Sequence, residues 1–215
     1  MARKIKFPKI SFETEKIVTK TRIIDINAII LKTKDQSVRT CGLEDQKKQL
    51  SHLLPSLPNP GETVRFISAK DGFSSIAFID YIGWAEIIEN LYVSTFRIGV
   101  KQAEDIALLY QRGRIKNAMF VTGRMKNTQT ERYDYYNQTK NILESCGFWM
   151  EDFSNHSRVF LFETGKGNKY VLETSANLNE NPQIEMFILS NNPDVFDFYQ
   201  QFFVAVKNSG DKYKN

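Results

Sequence analysis

Four side chains that can attack or bind a phosphate stand close together in the second half of the chain. The segment from residue 155 to residue 185 reads NHSRVFLFETGKGNKYVLETSANLNENPQIE and contains His156, one of only two histidines in the protein. Arg158 follows two residues later, and Ser175 and Asn177 follow the next apolar run. An imidazole can attack phosphorus, an arginine can hold two phosphate oxygens, and a hydroxyl or amide group can donate to a third. These residue types together predict phosphoryl transfer without a metal ion.

A predicted hairpin positions these side chains. The runs SRVFLFE and KYVLETS are separated by TGKGN, and two glycines among five residues are typical of a hairpin connection. Because side chains alternate along a strand, we expect His156 and Arg158 on one face, with Ser175 and Asn177 just past the partner strand. Glu185 is expected to orient the imidazole by accepting from its other ring nitrogen. The alternative is a polar hairpin in which His156 is an ordinary structural or surface residue.

The segments before and after the hairpin predict a sheet with helices between its strands. Three prolines in PSLPNPG, residues 55–61, interrupt any regular element. Predicted strands are TVRFISA, ENLYVSTF, KNAMFVTG and FWMEDF. Predicted helices are SSIAFIDYIGWAEII, which is expected to be amphipathic with Ser74 or Ser75 as N-cap, VKQAEDIALLYQRG, TERYDYYNQTKNILESCG and PDVFDFYQQFFVAVKN. This order predicts an α/β fold, with a mixed, largely parallel sheet flanked by helices on both faces. Ligands of such sheets bind at the carboxyl ends of strands, so Thr95 is expected to reach a bound phosphate.

Three regions are predicted along the chain. Residues 1–61 form an N-terminal extension, with β-like segments between Ile10 and Lys32, a helix over LEDQKKQLSHLL and the proline-rich linker. Residues 62–207 form the main domain, and residues 208–215 form a polar C-terminal tail. A chain of 215 residues is long enough for one domain of ordinary size with a small accessory segment.

The residues of the hairpin resemble the signature of the phospholipase D superfamily. That signature is H-x-K-x-x-x-x-D, followed by a small residue, Ser, any residue, Asn and a later Glu. Here H156-S-R158-V-F-L-F-E163 and T174-S-A-N177 occupy those places, with Glu185 as the later acid. KDGFSSIAFIDYI, ENLYVSTFRIG and LYQRGRIKNAMFVTG resemble the preceding part of the single-motif, nuclease-like branch. The resemblance covers about residues 62–207.

The resemblance implies a mechanism and an assembly. In that superfamily the histidine forms a covalent phosphohistidine, the lysine binds the phosphate, and the Ser and Asn assist. The implied catalytic residues are therefore His156, Arg158, Ser175, Asn177 and Glu185. Two motifs make one active site, so a chain with a single motif is expected to form a homodimer.

Three positions depart from the superfamily signature. Arg158 replaces the lysine, Glu163 replaces the aspartate in a supporting position, and Thr174 replaces the usual glycine before the serine. An arginine keeps the positive charge, but it is bulkier than lysine and its planar fork has a different geometry. Two hypotheses follow: a working phosphodiesterase, and a catalytically inactive protein of the same fold that binds DNA or serves as an assembly scaffold.

The charge pattern favours nucleic acid as the substrate or partner. The formal net charge is +4, and a basic cluster of Arg112, Arg114, Lys116, Arg124 and Lys126 occupies fifteen residues. Such a cluster can bind phosphates, although solvated loop charges are the alternative. Expected substrate contacts are Thr95, Thr174, Arg112, Arg114 and Arg124. Nucleic acid is favoured over lipid, because basic clusters occur and no interfacial apolar helix does. DNA is expected rather than RNA.

Other classes of function lack their sequence signals. No apolar run approaches the roughly 18 to 20 residues of a membrane span, and MARKIKFPKISFETEK lacks the apolar region of a signal peptide, so we expect a cytoplasmic protein. Cys41 and Cys146 form no pattern typical of a disulfide framework or zinc site. GxGxxG and GxxxxGK[ST] are absent from the sequence. We therefore predict no metal and no other cofactor.

Overall fold

The computed structural model describes residues 20–23, 43–68, 73–123, 130–179 and 184–211. Within these ranges the chain forms eight strands and five helices. The strands are β1 (Lys20–Ile23), β2 (Glu62–Ser68), β3 (Ile88–Thr95), β4 (Ile115–Thr122), β5 (Trp149–Asp152), β6 (Val159–Thr164), β7 (Lys169–Thr174) and β8 (Glu185–Asn191). The helices are α1 (Leu43–Leu53), α2 (Ser75–Ala85), α3 (Val100–Gln111), α4 (Thr130–Ser145) and α5 (Pro193–Asp211). The predicted β-like segments between residues 10 and 32 lie outside the described residues, apart from β1.

The described strands form one mixed sheet in the order β1-β2-β8-β7-β6-β3-β4-β5. This confirms the α/β class and the mixed sheet, but the expectation that the sheet is largely parallel is wrong. The pairs β1–β2, β3–β4 and β4–β5 are parallel, and the four pairs from β2 through β8, β7 and β6 to β3 are antiparallel. Parallel neighbours need a crossover, which α1, α3 and α4 supply, whereas β6 and β7 are joined by a short turn.

Strand β8 lies near the middle of the sheet, between β2 and β7. The sequence analysis assigns residues 185–191 to no element. EMFILSN contains only a short apolar run, and periodicity does not distinguish such a run from a piece of helix or loop. The segment is a strand because it pairs antiparallel with β2 on one side and with β7 on the other. The strand matters for function because Glu185 is its first residue.

Helices cover both faces of the sheet. Helices α1 to α4 pack on one face, where a cluster of buried side chains includes Leu50, Ile82, Ile106 and Leu143. Helix α5 packs on the other face through Phe196, Phe203 and Val206. Strand β6 is buried on both faces, which explains why VFLF is a continuous apolar run rather than an alternating one.

Helix α2 is not amphipathic as predicted. Every residue from Ser75 to Gly83 is buried, because the helix lies between the sheet and α1. Its apolar contacts include a group of aromatic rings with centroids 5.0 to 6.3 Å apart, which joins the helix to β2 and β8. The N-cap is Ser74, as predicted, but its hydroxyl donates to Gln46 of α1 rather than to its own helix.

The described parts of the N-terminal extension are integrated into the fold. Strand β1 pairs with β2, and Leu50 and Leu54 belong to the same apolar cluster as the helices of the main domain. At the other end, α5 continues to Asp211, past the predicted domain boundary at residue 207. No helix among the described residues is long and apolar enough to cross a membrane.

Candidate functional site

Seven strand ends meet at the edge of the sheet that carries the predicted site. The carboxyl ends of β2, β3, β4, β5 and β7 lie there, beside the amino ends of β6 and β8. The registers establish this, because Ser68 is opposite Glu185, Ser94 is opposite Val159, and Thr122 is opposite Asp152. We call this edge the site edge. It holds the segments 154–158 and 174–178, which contain most of the predicted catalytic residues.

Arg158 and Asn177 are joined by a direct hydrogen bond at the site edge. Arg158 Nε donates to Asn177 Oδ1 over 2.8 Å, and the Arg158 carbonyl accepts from the Thr174 amide over 3.3 Å. In the described part of the chain, the two terminal guanidinium nitrogens and the Asn177 amide nitrogen make no other hydrogen bond or ion pair. The pair is half-buried and orientated, and its remaining donors are available to an anion.

Ser175 and Glu185 are also in contact, as a link between β7 and β8. The Ser175 hydroxyl donates to a Glu185 carboxylate oxygen and accepts from the Met186 amide over 2.9 Å. The Thr174 hydroxyl accepts from the Ala176 amide over 2.9 Å and so shapes the same turn. The hydrogen of the serine hydroxyl is thus directed at Glu185 rather than at an open site.

His156 lies in the segment before β6 and not within a strand. The prediction that strand alternation aligns it with Arg158 is therefore wrong, because β6 begins at Val159. The imidazole is exposed and packs against the Phe96 ring, with centroids 5.1 Å apart and planes at 45°. Among the described residues it makes no hydrogen bond, so Glu185 does not orient it in this structure.

Asn155 is the site residue that sequence reasoning missed. Its Nδ2 donates to Ser94 Oγ over 2.9 Å, and its Oδ1 accepts from the amide and hydroxyl of Ser157 over 3.0 and 2.7 Å. Ser94 Oγ and Ser157 Oγ are 2.6 Å apart, which closes a ring of three hydrogen bonds. Asn155 Nδ2 also lies within 3.4 Å of the carbonyls of Thr95 and Val121.

The ring ties the loop of His156 to the ends of two strands. We call Asn155, Ser94 and Ser157 the Asn155 ring. It holds His156 from both sides, since Asn155 and Ser157 are its chain neighbours. A sequence signal did exist, because an asparagine beside a strand start is typical of a residue that bonds to the backbone. Its partners 61 and 34 residues away could not be identified from that signal.

Thr95 has a structural role in this arrangement. The side chain is fully buried, and its hydroxyl donates to the Arg97 carbonyl and accepts from the Leu178 amide, both over 3.1 Å. Thr95 therefore joins the end of β3 to the segment that follows Asn177. It was expected to reach a phosphate, and both of its hydrogen-bonding directions are used within the protein.

Three other predicted residues lie away from the site edge. Arg112 and Arg114 follow α3 at the opposite end of the sheet, where Ile88 donates to the Arg114 carbonyl. Seven residue steps of β3 separate that end from Thr95, about 23 Å of extended strand. Glu163 is at the same far end of β6 and accepts from Asn90 over 2.8 Å, which supports the pairing of β6 with β3. Arg124 lies outside the described residues.

Buried tyrosines lie beside carboxylates near the site edge. Tyr199 of α5 donates to Glu173 over 2.5 Å, and burial together with this bond raises the pKa of Tyr199 above its usual value. Burial also raises the pKa of Tyr136, with further contributions from the negative charges of Asp152 and Glu151. Both phenols stay protonated at neutral pH, and Tyr199 can continue to donate to Glu173.

Comparison with known proteins identifies the fold. No family model matches the chain, and no curated protein matches it. Among solved structures it is similar to Nuc from Salmonella typhimurium, a phospholipase D family member, with a TM-score of 0.50, 13% sequence identity, and coverage of 68% of this chain and 95% of that one. The chain therefore shares the fold of this phospholipase D family member.

A second solved structure has a similar fold as part of a larger protein. Polyphosphate kinase from Porphyromonas gingivalis matches with a TM-score of 0.50 and 10% identity, over 67% of this chain and 26% of the kinase. This chain therefore spans about a quarter of the kinase's length. Identities this low establish the architecture, and the site of this chain must be judged from its own contacts.

Proposed function

We propose that this chain is a metal-independent phosphodiesterase that acts on nucleic acid as a homodimer. The observation that carries the proposal is the Arg158–Asn177 pair. Its remaining guanidinium and amide donors stand at the site edge with the exposed His156 imidazole. Donors held in place before a substrate arrives are what stabilises the charge that develops on phosphate oxygens. The phospholipase D fold supports the same reading.

The proposed reaction has two steps. In the first, a nitrogen of the His156 imidazole attacks the phosphorus, a P–N bond forms, and the P–O bond to the leaving group breaks. The His156 of a second copy donates a proton to the leaving oxygen. In the second step that imidazole takes a proton from water, the water oxygen attacks phosphorus, and the P–N bond breaks. Arg158 and Asn177 donate to the nonbridging oxygens throughout.

Ser175 has a supporting role in this proposal. Its hydroxyl links Glu185 at the start of β8 to the turn that carries Asn177. A carboxylate and a backbone amide thus fix the serine, and the serine fixes the turn. We propose that Ser175 and Glu185 position Asn177, and that the phosphate is held by Arg158 and Asn177. Thr174 acts in the same turn through its bond to Ala176.

A catalytically inactive nucleic-acid-binding protein is the second candidate. Two observations favour it: the hydrogen of the Ser175 hydroxyl is directed at Glu185, and no hydrogen bond from the described residues orients the His156 ring. An arginine in place of the lysine of the signature also retains phosphate binding more easily than turnover. In this case the pair Arg158–Asn177 binds a phosphate without reaction at His156.

The decisive experiment measures cleavage in EDTA. Purified protein is incubated with labelled single- and double-stranded DNA and RNA, beside His156→Ala and, as the matched control, His52→Ala. His52 is the other histidine, exposed on α1 with its Nδ1 2.7 Å from the Lys48 carbonyl, and its loss should not change cleavage. Cleavage in EDTA that only His156→Ala abolishes, with an acid-labile phosphohistidine, supports the enzyme. Binding without cleavage supports the inactive alternative.

The homodimer has a separate test. Parent protein and His156→Ala are unfolded, mixed in equal amounts and refolded. If one active site needs both histidines, only dimers of two parent copies cleave, and activity falls to about one quarter of that of undiluted parent protein. If each chain works alone, activity falls to about one half. A monomer at all working concentrations in sedimentation experiments would also contradict the dimer.

A further inference from the structure

Arg97 is an exposed arginine that belongs to the site edge, although neither its spacing nor any signature pointed to it. It is the second residue after β3, next to Phe96. Its guanidinium carbon lies 5.3 Å from the centroid of the Phe96 ring, the same ring that packs against His156. Cation and ring attract each other in this arrangement, which orients the long arginine side chain before any ligand binds.

The backbone of Arg97 is attached to the other half of the site. Its carbonyl accepts from the Leu178 amide and from the Thr95 hydroxyl, both over 3.1 Å. Leu178 is the residue after Asn177, and Ile98 forms a parallel bridge with it. Arg97 is therefore held next to Asn177 through its backbone and next to His156 through Phe96.

Phe96 itself has little freedom to move. A Cβ atom on Gly123 would lie 2.2 Å from Phe96 Cδ2, so the ring is packed directly against the backbone at the end of β4. Three groups thus contact one ring: Gly123 through the backbone, His156 through a tilted ring contact, and Arg97 through its charge. The ring sets the separation between the guanidinium of Arg97 and the imidazole.

The charges at the site edge are more than one phosphodiester requires. A single phosphodiester carries one negative charge, which Arg158 alone balances. In the described part of the chain, Arg97 has no carboxylate within ion-pair distance, and neither has Arg158. An unpaired guanidinium on a surface costs little, so Arg97 can remain without an ion pair until a ligand binds. It does fit a second negative charge on the same ligand.

We infer that Arg97 forms a second phosphate subsite, which binds the phosphate next to the reacting one in a nucleic-acid strand. Arg97 and His156 both lie within 5.3 Å of one ring centroid, hence no more than about 10 Å apart, and a strand carries one charge per ~3.4 Å of axis. A neighbouring phosphate is therefore within reach. The inference rests on the proposed function and narrows its substrate to chains with consecutive phosphodiesters.

The test compares ligands with one and with two phosphates. The dinucleotide dTpdT has one phosphodiester and the trinucleotide dTpdTpdT has two. Both are titrated into His156→Ala protein, which leaves them intact, and into the same protein with Arg97→Gln, Arg97→Lys or Lys166→Gln. Lys166 is the matched control, an exposed cation in the β6–β7 turn at the opposite end of the sheet.

We expect His156→Ala protein to bind the two-phosphate ligand about tenfold more tightly than the one-phosphate ligand, the effect of one charged hydrogen-bonded contact. Arg97→Gln should reduce this ratio to roughly the twofold expected of two equivalent phosphates, with binding of dTpdT unchanged. Arg97→Lys should retain part of the ratio because it retains the charge. Lys166→Gln should leave both affinities as they are.

Three results would overturn the inference, and they differ in what happens to the proposed function. If Arg97→Gln leaves the ratio of the two affinities unchanged, the proposed subsite does not exist, but the nucleic-acid site is not contradicted. If Arg97→Gln lowers the affinity for both ligands by the same factor, Arg97 contacts the reacting phosphate instead. If His156→Ala protein binds neither ligand and no longer thymidine strand, the inference and the choice of nucleic acid are both overturned.

Discussion

The Asn155 ring should determine both the stability of the site edge and the position of His156. Asn155→Ala removes the side chain that joins Ser94 at the end of β3 to Ser157. Asn155 is half-buried, so the space that the truncation leaves is small and partly open to water. The loss in free energy of unfolding therefore comes mainly from the lost hydrogen bonds. The segment that carries His156 would then be attached to the sheet by the contact between Ser94 and Ser157.

The size of the effect follows from three short bonds, with lengths of 2.7, 2.9 and 3.0 Å. Each bond contributes about 1 kcal/mol net in a typical protein. Ser157 is exposed, so water replaces part of the two bonds that it makes. We expect Asn155→Ala to lower the free energy of unfolding by about 2 kcal/mol. Urea unfolding measures this as a lower midpoint with an unchanged slope.

Asn155→Asp separates hydrogen bonding from packing. A carboxylate oxygen in place of Nδ2 faces the carbonyls of Val121 and Thr95, at 3.2 and 3.4 Å from that position. This repulsion should make Asn155→Asp lower the free energy of unfolding in urea, although the variant retains the size of the side chain and the acceptor of the two bonds from Ser157.

The two histidines allow a direct readout at the site. Long-range nitrogen spectra of the imidazoles contain two sets of signals, and those of His52 serve as an internal reference. Asn155→Ala should move and broaden the signals of His156 alone. A change in unfolding free energy below about 0.5 kcal/mol, which is typical of a neutral surface substitution, would refute the reasoning. Unchanged His156 signals would refute its link to the site.

Three further predictions concern the fold around the site. Gly123→Ala should lower the free energy of unfolding in urea by up to about 3 kcal/mol, because its Cβ would lie 2.8 Å from the Asn155 carbonyl as well as against Phe96. Gly113→Ala, with φ +69 and open space around it, should lower it by less, about 1 kcal/mol. Equal costs would contradict the packing argument. Lys47→Met should lower the free energy of unfolding by about 3 kcal/mol, because it leaves the buried Asp80 without its ion pair at 3.1 Å. Adding Asp80→Asn should recover most of this loss. A double variant as unstable as the single one would contradict the prediction. Burial raises the pKa of several tyrosines, so the folded state retains their protons above pH ~10 while the unfolded state loses them, and stability should decrease there by up to about 1.4 kcal/mol per pH unit for each. These tyrosines are Tyr81, Tyr136, Tyr170 and Tyr199. Absorbance at the phenolate band should show them ionising only with unfolding, and reversible ionisation in the folded protein would contradict the prediction.

Much of the secondary structure follows from local patterns. The alternation of ENLYVSTF and the spacing of VKQAEDIALLYQRG predicted β3 and α3, because a strand or a helix repeats over a few residues. The glycines at the ends also acted locally, since Gly113 and Gly147 have positive φ after their helices. The β6–β7 hairpin was confirmed for the same reason, with Gly167 at φ +81 in its turn.

The site was predicted in part. Arg158 and Asn177 were expected to act together, and they are bonded at 2.8 Å. The assumption that His156 continues the strand was wrong by three residues, since the boundaries of elements depend on pairing partners as well as on pattern. Arg112 was grouped with the site because of its charge, and the fold puts it at the opposite end of the sheet.

The sequence alone determined which residues can do chemistry and which segments are strands or helices, because residue type and short-range periodicity are local properties. Only the tertiary structure decided that β8 lies between β2 and β7, that Asn155 bonds to Ser94, and that Arg97 and His156 contact the same Phe96 ring. Asn155 and Ser94 are 61 positions apart in the sequence. Which distant segments meet depends on how the whole chain buries its apolar surface and satisfies its backbone, and no short stretch of sequence contains that information.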